Sequence, residues 1–344
     1  MKKTILICTL VLLVSCAKTF IPKEEPLTNS TTFELFWTDF DQHYSLFDVR
    51  SIDWNALYSS YQPKVHEELS EADLWKLLAS LIENLDDSHT VLYDGNGHSY
   101  RSGYVLNEQS IAEISEELIR TSYVERLKEV SSEDQLAYGK IKGKNIGYIY
   151  LGSMDGQNPA SIHTIIEEFS NVEAILLDVR QNTGGDDRYA AAMAKAFSDG
   201  KHLIYTVATR NGPNHDDFDA KKNYYTAYDP SQTFSKPVVI LTDRKTISAG
   251  EIFLLHMKSF EHVTQIGDTT AGDFSTISNM RFLPNGWHYR YSIQKVLLPN
   301  GESLDGIGHI PDMYVKNTVE NIAAKEDKVL DTALKYLLDT YGID

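Results

Sequence analysis

The chain has 344 residues, 42% hydrophobic and 24% charged, with 49 acidic against 32 basic side chains for a formal net charge of −17. That length holds one or two domains with a sizeable core, and the ordinary composition excludes collagen-like fibres and wholesale disorder. The acidic balance argues against a general nucleic-acid binder, and two cysteines exclude a disulfide scaffold or a multi-Cys zinc module.

Residues 1–15 read as an address. Lys2 and Lys3 precede an apolar run, Ile5 to Val14, that is too short to span a bilayer as a helix. Leu13-Val14-Ser15-Cys16 then reads as a cleavage site, which completes the order of a secretory signal peptide. A cysteine directly at the cut resembles the bacterial lipoprotein signal, with Cys16 as the acylated first residue. The expected place is the bacterial cell envelope, on the outer membrane or its periplasmic face, held by lipid. Residues 16–30, with Pro22 and Pro26, read as a tether.

Residues 31–92 are predicted to form a small helical domain. Phe33, Phe36, Trp37, Phe40 and Tyr44 recur at helical spacing, and Leu74, Leu77, Leu78, Leu81 and Leu85 mark another helix opened by Ser70. Residues 93–135 read as a polar connector with one or two short helices. From 136 to 344 strands and helices alternate in the α/β manner. Strands are expected at 146–151, 174–179, 238–242 and 263–266, helices at 159–170, 187–198 and 249–260, and a closing helix at 319–341. Residues 209–236 lack a clear period and read as an exposed insertion; residues 278–298 read as a hairpin around Pro284-Asn285-Gly286.

Four segments carry chemistry. Asp86-Asp87-Ser88-His89-Thr90 lies where helix gives way to strand. His89 is a candidate general base, since imidazole titrates near neutral pH, although a lone histidine is more often structural. Leu177 to Gly185 (Leu-Asp-Val-Arg-Gln-Asn-Thr-Gly-Gly) is a buried strand ending in a glycine pair that can approach a ligand closely. Thr246-Ile-Ser-Ala-Gly-Glu251 sits at a strand-to-helix turn. Ser248 there is a candidate nucleophile with the Ala249 N–H free to bind an oxyanion, yet Ser248 and Glu251 also make a capping box, the plainer reading of that motif. Leu304 to Asp312 is a glycine-punctuated loop. No Gly-Lys-Ser/Thr phosphate cradle and no close histidine pair for a metal appears.

Together these segments resemble the tail-specific, or C-terminal-processing, serine peptidases, most closely the branch of the tricorn protease core. Leu177–Gly185 is similar to the family's L-D-[LV]-R-x-N-x-G-G, Thr246–Phe253 to its nucleophile segment, Gly267-Asp-Thr-Thr-Ala-Gly272 to G-x-x-T-x-G, and Asp305-Gly-Ile-Gly-His-Ile-Pro-Asp312 to E-G-x-G-x-x-P-D. The resemblance implies a ClpP/crotonase-like α/β core, a parallel-rich sheet with flanking helices behind the helical domain. The interval between His89 and Ile146 is too short for the PDZ domain of many relatives.

Two departures shape the implied mechanism. Many relatives use a Ser–Lys dyad with Lys after the T-x-G loop, but here that place is Asp273, and no Lys lies between Lys258 and Lys295. The tricorn branch instead uses a Ser-His pair, matched by Ser88-His89, and a downstream Glu, replaced here by the shorter Asp305. The resemblance therefore implies Ser248 as nucleophile, His89 as base, Asp305 orienting His89 through Ser88, and the N–H groups of Ala249 and Gly184 or Gly185 as oxyanion hole. No cofactor or metal is implied, and the substrate is a peptide or unfolded tail. The alternative is an inactive peptide- or ligand-binding lipoprotein of the same fold.

Overall fold

The structure is a computed structural model describing residues 27–103, 114–132 and 135–344. The signal peptide, Cys16 and the tether up to residue 26 lie outside the described residues.

The helical layer forms as its caps dictate. Helix α1 (Asn29–His43) starts where Thr28 Oγ1 accepts the Thr31 N–H at 3.0 Å. Helix α2 (Trp54–Tyr61) starts at Asp53, and α3 (Glu71–Glu83) at Ser70, each side chain accepting an N–H of the first turn. Phe33, Phe36, Phe40 and Tyr44 are fully buried, as are Leu78, Leu81 and Leu85.

The chain then runs through β1 (Val91–Tyr93), β2 (Ser99–Arg101), a helical segment at 116–123, β3 (Val124–Ser131), β4 (Leu136–Ile141), β5 (Ile146–Leu151), α4 (Ser161–Glu168), β6 (Ala174–Asp178) and α5 (Asp187–Ala194). It continues through β7 (Leu203–Thr209), β8 (Lys222–Tyr225), β9 (Val238–Thr242), α6 (Ala249–Met257), β10 (Val263–Gly267), β11 (Arg281–Phe282), β12 (His288–Arg290), β13 (Gln294–Leu297), β14 (Met313–Tyr314), α7 (Val319–Ala323) and α8 (Lys328–Tyr341). The main sheet has the order β14-β10-β9-β6-β5-β4-β3. Its first five strands are parallel and the last two antiparallel.

Both faces of that sheet are covered, which is why β6 and β9 are apolar at nearly every position. Ile175, Leu177, Val238 and Ile240 pack against α4, α5 and α6 on one side. Leu176, Val239 and Leu241 pack against Val329, Leu330, Ala333 and Leu337 of α8 on the other. The alternation is that of neighbouring residues on a strand.

The helical layer does not close on itself. Leu283, Trp287, Tyr289 and Tyr291, from the β11–β12 hairpin and its exit, complete its core. That hairpin pairs with β1 in a second sheet of order β11-β12-β1-β2. Phe40 stacks on Tyr289 with ring centroids 5.4 Å apart, and Phe36 meets the same ring at 4.7 Å.

Three expectations need correction. The polar connector at 93–135 contains β2 and β3, and β3 pairs along β4 with two register irregularities. Its sequence, Val-Glu-Arg-Leu-Lys-Glu-Val-Ser, hides the alternation of an edge strand. The insertion at 209–236 contributes β8 to a third sheet of order β13-β7-β8. This polar edge strand buries too little for a period to show. The closing helix is broken into α7 and α8, because Asp327 leaves the helix to cap α8 through the Val329 and Leu330 N–H groups.

Asp327 has a second duty. Its carboxylate accepts two hydrogen bonds from Arg180 Nη1, at 3.0 and 2.9 Å, while Asp178 takes Arg180 Nε and Nη2 at 2.9 and 2.6 Å. All three side chains are fully buried. Removing one partner of such a group strands the others without water. Arg180→Met is expected to lower unfolding free energy by about 3–5 kcal/mol, read from urea denaturation; a loss under about 1 kcal/mol would show that the ion group contributes little.

Candidate functional site

Ser248 stands at the turn from β9 into α6. Asp243 builds that turn, its Oδ1 accepting the N–H groups of Lys245 at 3.0 Å, Thr246 at 3.1 Å and Gln181 at 3.0 Å. Ser248 itself has φ 58° and ψ −126°, a backbone state unusual for a residue with a side chain. Its N–H donates to Glu251 Oε2 at 3.3 Å. The Ser248 side chain lies at the third-residue amide as a capping box requires, yet no side-chain hydrogen bond of ordinary geometry closes it.

Asn182 ties the glycine pair to this turn. Its Nδ2 donates to Leu151 O at 2.7 Å, its Oδ1 accepts the Gly184 N–H at 2.9 Å, and its carbonyl accepts the Ile247 N–H at 3.1 Å. Gly184, at φ +80°, passes so close that a Cβ there would sit 2.7 Å from Ser248 Cβ. Only glycine fits both demands. The same bonds separate the two oxyanion candidates. The Gly184 N–H is already spent on Asn182. Met154 bridges to the strand through Gly184 O and the Asp186 N–H, so the Gly185 N–H faces the other way, and among the described residues it has no acceptor. The Ala249 N–H, at the first helical position, likewise has none.

Ser88 and His89 arrive from the other layer. Asp87 is fully buried and fixes their backbone, accepting the His89 N–H at 3.0 Å and Thr90 Oγ1 at 3.2 Å. Arg101 donates to Ser88 O. His89 and Ser248 line one cleft of about 1070 Å³, together with Gly185, Tyr224 of β8, Ile277 and Arg290. His89 Nδ1 is sealed from solvent with no hydrogen-bond partner.

The carboxylate behind Ser88 is not the one expected. Ser88 Oγ donates to Asp273 Oδ2. Asp305 instead accepts the Phe274 N–H at 3.0 Å and Ser303 Oγ at 3.3 Å, and it does not reach Ser88. Asp273, not Asp305, is the carboxylate bonded to Ser88. Its position directly after Gly272, where relatives place a lysine, was the visible signal.

One cation serves this acidic pocket. Arg50 donates to Asp86 O, to Gly272 O at 3.0 Å and to Asp273 Oδ1, and lies 4.0 Å from Asp305 Oδ1. Glu251, fully buried, accepts Thr270 Oγ1 and the N–H groups of Gly272 and Asp273 at 2.8 and 2.9 Å besides that of Ser248. Burial pushes the Glu251 carboxyl up to about 8 against these donors, which favour its charged form. One carboxyl thus holds the backbones of both Ser248 and Asp273.

The chain is similar to known proteins over much of its length. Residues 145–315 match peptidase family S41 and residues 28–83 match the tricorn protease C1 domain. The chain is 26% identical over 179 residues to the carboxy-terminal processing protease CtpB of Bacillus subtilis, covering 52% of this chain and 35% of that protein. It is 28% identical over 222 residues to the tail-specific protease of Haemophilus influenzae, covering 60% and 30%. The chain thus spans about a third of the length of these relatives. A crystal structure of a presumptive peptidase from Parabacteroides merdae superposes with a TM-score of 0.81 at 26% identity, covering 91% of this chain and 98% of that one. Mature CPAF in complex with lactacystin shares the fold, with a TM-score of 0.69 at 12% identity over 91% and 98% of the two chains.

The position of Asp305 makes a pH prediction. Burial pushes its carboxyl up to about 7, with Arg50 opposing. The folded chain then holds a proton that the unfolded chain, titrating near 3.8, releases. Stability from this group is full below that lower value and falls as pH rises toward 7. Asp305→Asn keeps an acceptor for the Phe274 N–H and has no charge to bury. Its urea midpoint is expected to gain on the parent's between pH 4 and pH 8; a constant difference would refute the buried acid.

Proposed function

We propose, from the premise that this chain belongs to peptidase family S41, that it is a serine peptidase cutting peptide bonds through an acyl-enzyme on Ser248. The observation that carries this reading is that Ser248 and His89 line one cleft together with Gly185. A serine needs an adjacent base, and the developing oxyanion needs preorganised donors.

In the proposed reaction His89 takes the Ser248 proton as Oγ attacks the peptide carbonyl. The N–H groups of Ala249 and Gly185 receive the oxyanion, each such donor typically contributing about 10²–10³ in rate. His89 then protonates the leaving amine, and a water deprotonated by His89 releases the acyl group. Asp273 is a positioning residue acting through Ser88, whose hydroxyl donates to Asp273. Asp305 supports the loop at Phe274.

We also propose that the chain acts at the bacterial cell envelope, anchored by lipid on Cys16. The support is the residue order of its first sixteen positions. Mass spectrometry of the mature N-terminus tests this directly, a diacylglyceryl Cys16 being expected and an unmodified, uncleaved start being the contrary result.

The peptidase reading is tested with a fluorophosphonate probe on the chain from Lys18, mapping the labelled peptide. Labelling is expected at Ser248 and is abolished by Ser248→Ala and by His89→Ala. Asp273→Asn is expected to slow peptide hydrolysis by about 10²-fold, and Asp305→Asn by no more than a few-fold. The reverse ranking would return the orienting role to Asp305. A folded chain unlabelled between pH 6 and 9 would favour the inactive binding protein.

A further inference from the structure

His89 leads into β1, an inner strand of the second sheet. There Val91 stands opposite Arg290 of β12 on one side and Arg101 of β2 on the other. Residues directly opposite each other share a face of an antiparallel sheet, and the next row along takes the other face. That next row is Leu92, Tyr289 and Tyr100, which pack into the core of the helical layer. Arg290 and Arg101 therefore turn away from that layer, and both line the cleft with His89 and Ser248. Each arginine flanks Val91 at about 5 Å between backbones. Val91 itself is two residues beyond His89, at most about 7 Å along the chain.

The arginines of the cleft differ in what holds them. Arg188 Nη2 pairs with Asp186 Oδ2 at 2.5 Å, and Arg101 Nη1 donates to Ser88 O at 2.5 Å. Arg290 makes no side-chain hydrogen bond or ion pair among the described residues, and its Nε is sealed from solvent. A sealed donor without an acceptor costs free energy, more so on a charged group. The carboxylates of the cleft stand elsewhere. A Cβ on Gly185 would lie 2.6 Å from Asp155 Oδ1, and Asp186 and Asp187 follow Gly185 directly. The cleft is thus divided by charge, with acids around Gly185 and an unpaired guanidinium on the sheet that His89 enters.

We propose that Arg290 is a specificity-determining residue that binds a substrate carboxylate, supplied by an Asp or Glu side chain. This deepens the peptidase reading and rests on it. His89 protonates the leaving amine in the proposed reaction, so the wall it stands on lies along the departing half of the substrate. The short span from His89 through Val91 to Arg290 places the acid within about three residues C-terminal to the cut. A guanidinium offers a carboxylate two parallel N–H donors besides its charge, and a neutral amide cannot take both. The acids around Gly185 repel the same side chain from the other end of the cleft, which fixes the direction of the preference.

Peptide pairs that differ only by Glu against Gln test the assignment. The fastest-cut member of an internally quenched decapeptide library is taken with an amidated C-terminus and no other acid. Each of the three residues beyond its mapped cut is set in turn to Glu or Gln. At one position Glu is expected to raise kcat/KM about tenfold or more over Gln. That ratio is expected to fall below about threefold in Arg290→Gln, and Arg290→Lys to keep part of it, having the charge without the planar fork. Each value is a ratio within one variant, so a change in overall serine reactivity cancels. A parent without preference, a preference that survives Arg290→Gln, or a gain that requires a free C-terminal carboxylate would overturn the assignment.

A chemical probe serves should these variants fail to fold. On Ser248→Ala, which lacks the proposed nucleophile, phenylglyoxal modification of Arg290 is mapped by mass spectrometry. The Glu peptide is expected to slow it about fivefold or more and its Gln twin to leave it unchanged. Equal protection by both, or by neither, would overturn the site. If no peptide is cut and Ser248 stays unlabelled, the library is ranked by fluorescence anisotropy instead. Protection by the Glu member alone then supports Arg290 as a carboxylate site with the peptidase reading gone.

Discussion

A single guanidinium holds the two halves of this site together. Arg50 comes from the helical layer, beyond α1. One of its nitrogens donates to the carbonyl of Asp86, beside Ser88 and His89, and another to Gly272 O and Asp273, beside the nucleophile loop. Asp87, Asp273 and Asp305 all bury their carboxyl groups around it. Their charges raise the Arg50 pKa against the desolvation that would lower it. A buried group of three acids and one base gains little for stability. It does tie the segment of Ser88 and His89 to the Gly272–Asp273 loop.

Glu251 works in parallel from beneath. As a capping residue it has an ordinary duty at the start of α6, yet three of its four donors come from elsewhere. The helix end, the Thr270–Asp273 loop and the strained Ser248 backbone meet on one carboxyl. Strain at Ser248 persists because so many bonds over-determine the turn. The Asp243 and Asn182 side chains do the same from the β6 side. Ser248 is thus set between β9 and α6, while the cleft wall facing it is built from loops and short strands.

Legibility in the sequence followed burial. Helices α1 and α3 stand out because their apolar residues repeat with the helical period, and β6, β9 and α6 because they are continuous buried apolar runs. Strands β3 and β8 did not, since each is a polar edge whose side chains face solvent. The break before α8 is invisible locally, because its cause, Arg180, lies far away in sequence. Within the site, Ser248, His89 and the glycine pair were readable from motifs. Asp273 was seen only as an absent lysine. Nothing in a linear pattern says that Ser88 donates to Asp273 rather than to Asp305. The free Gly185 amide and the committed Gly184 amide were equally indistinguishable until Asn182 was placed.

The unfinished core of the helical layer has a consequence for how such a chain comes into being. Synthesis proceeds from the N-terminus, and α1 to α3 emerge long before Trp287, Tyr289 and Tyr291 exist to close around them. Strand β1, which leads directly from His89, pairs with β2 on one edge and waits for β12 on the other, with Val91 opposite Arg290. The layer that carries His89 is therefore complete only after β5, β6 and β9 of the main sheet have been made. A chain stopped before Trp287 leaves that first layer without its core partners.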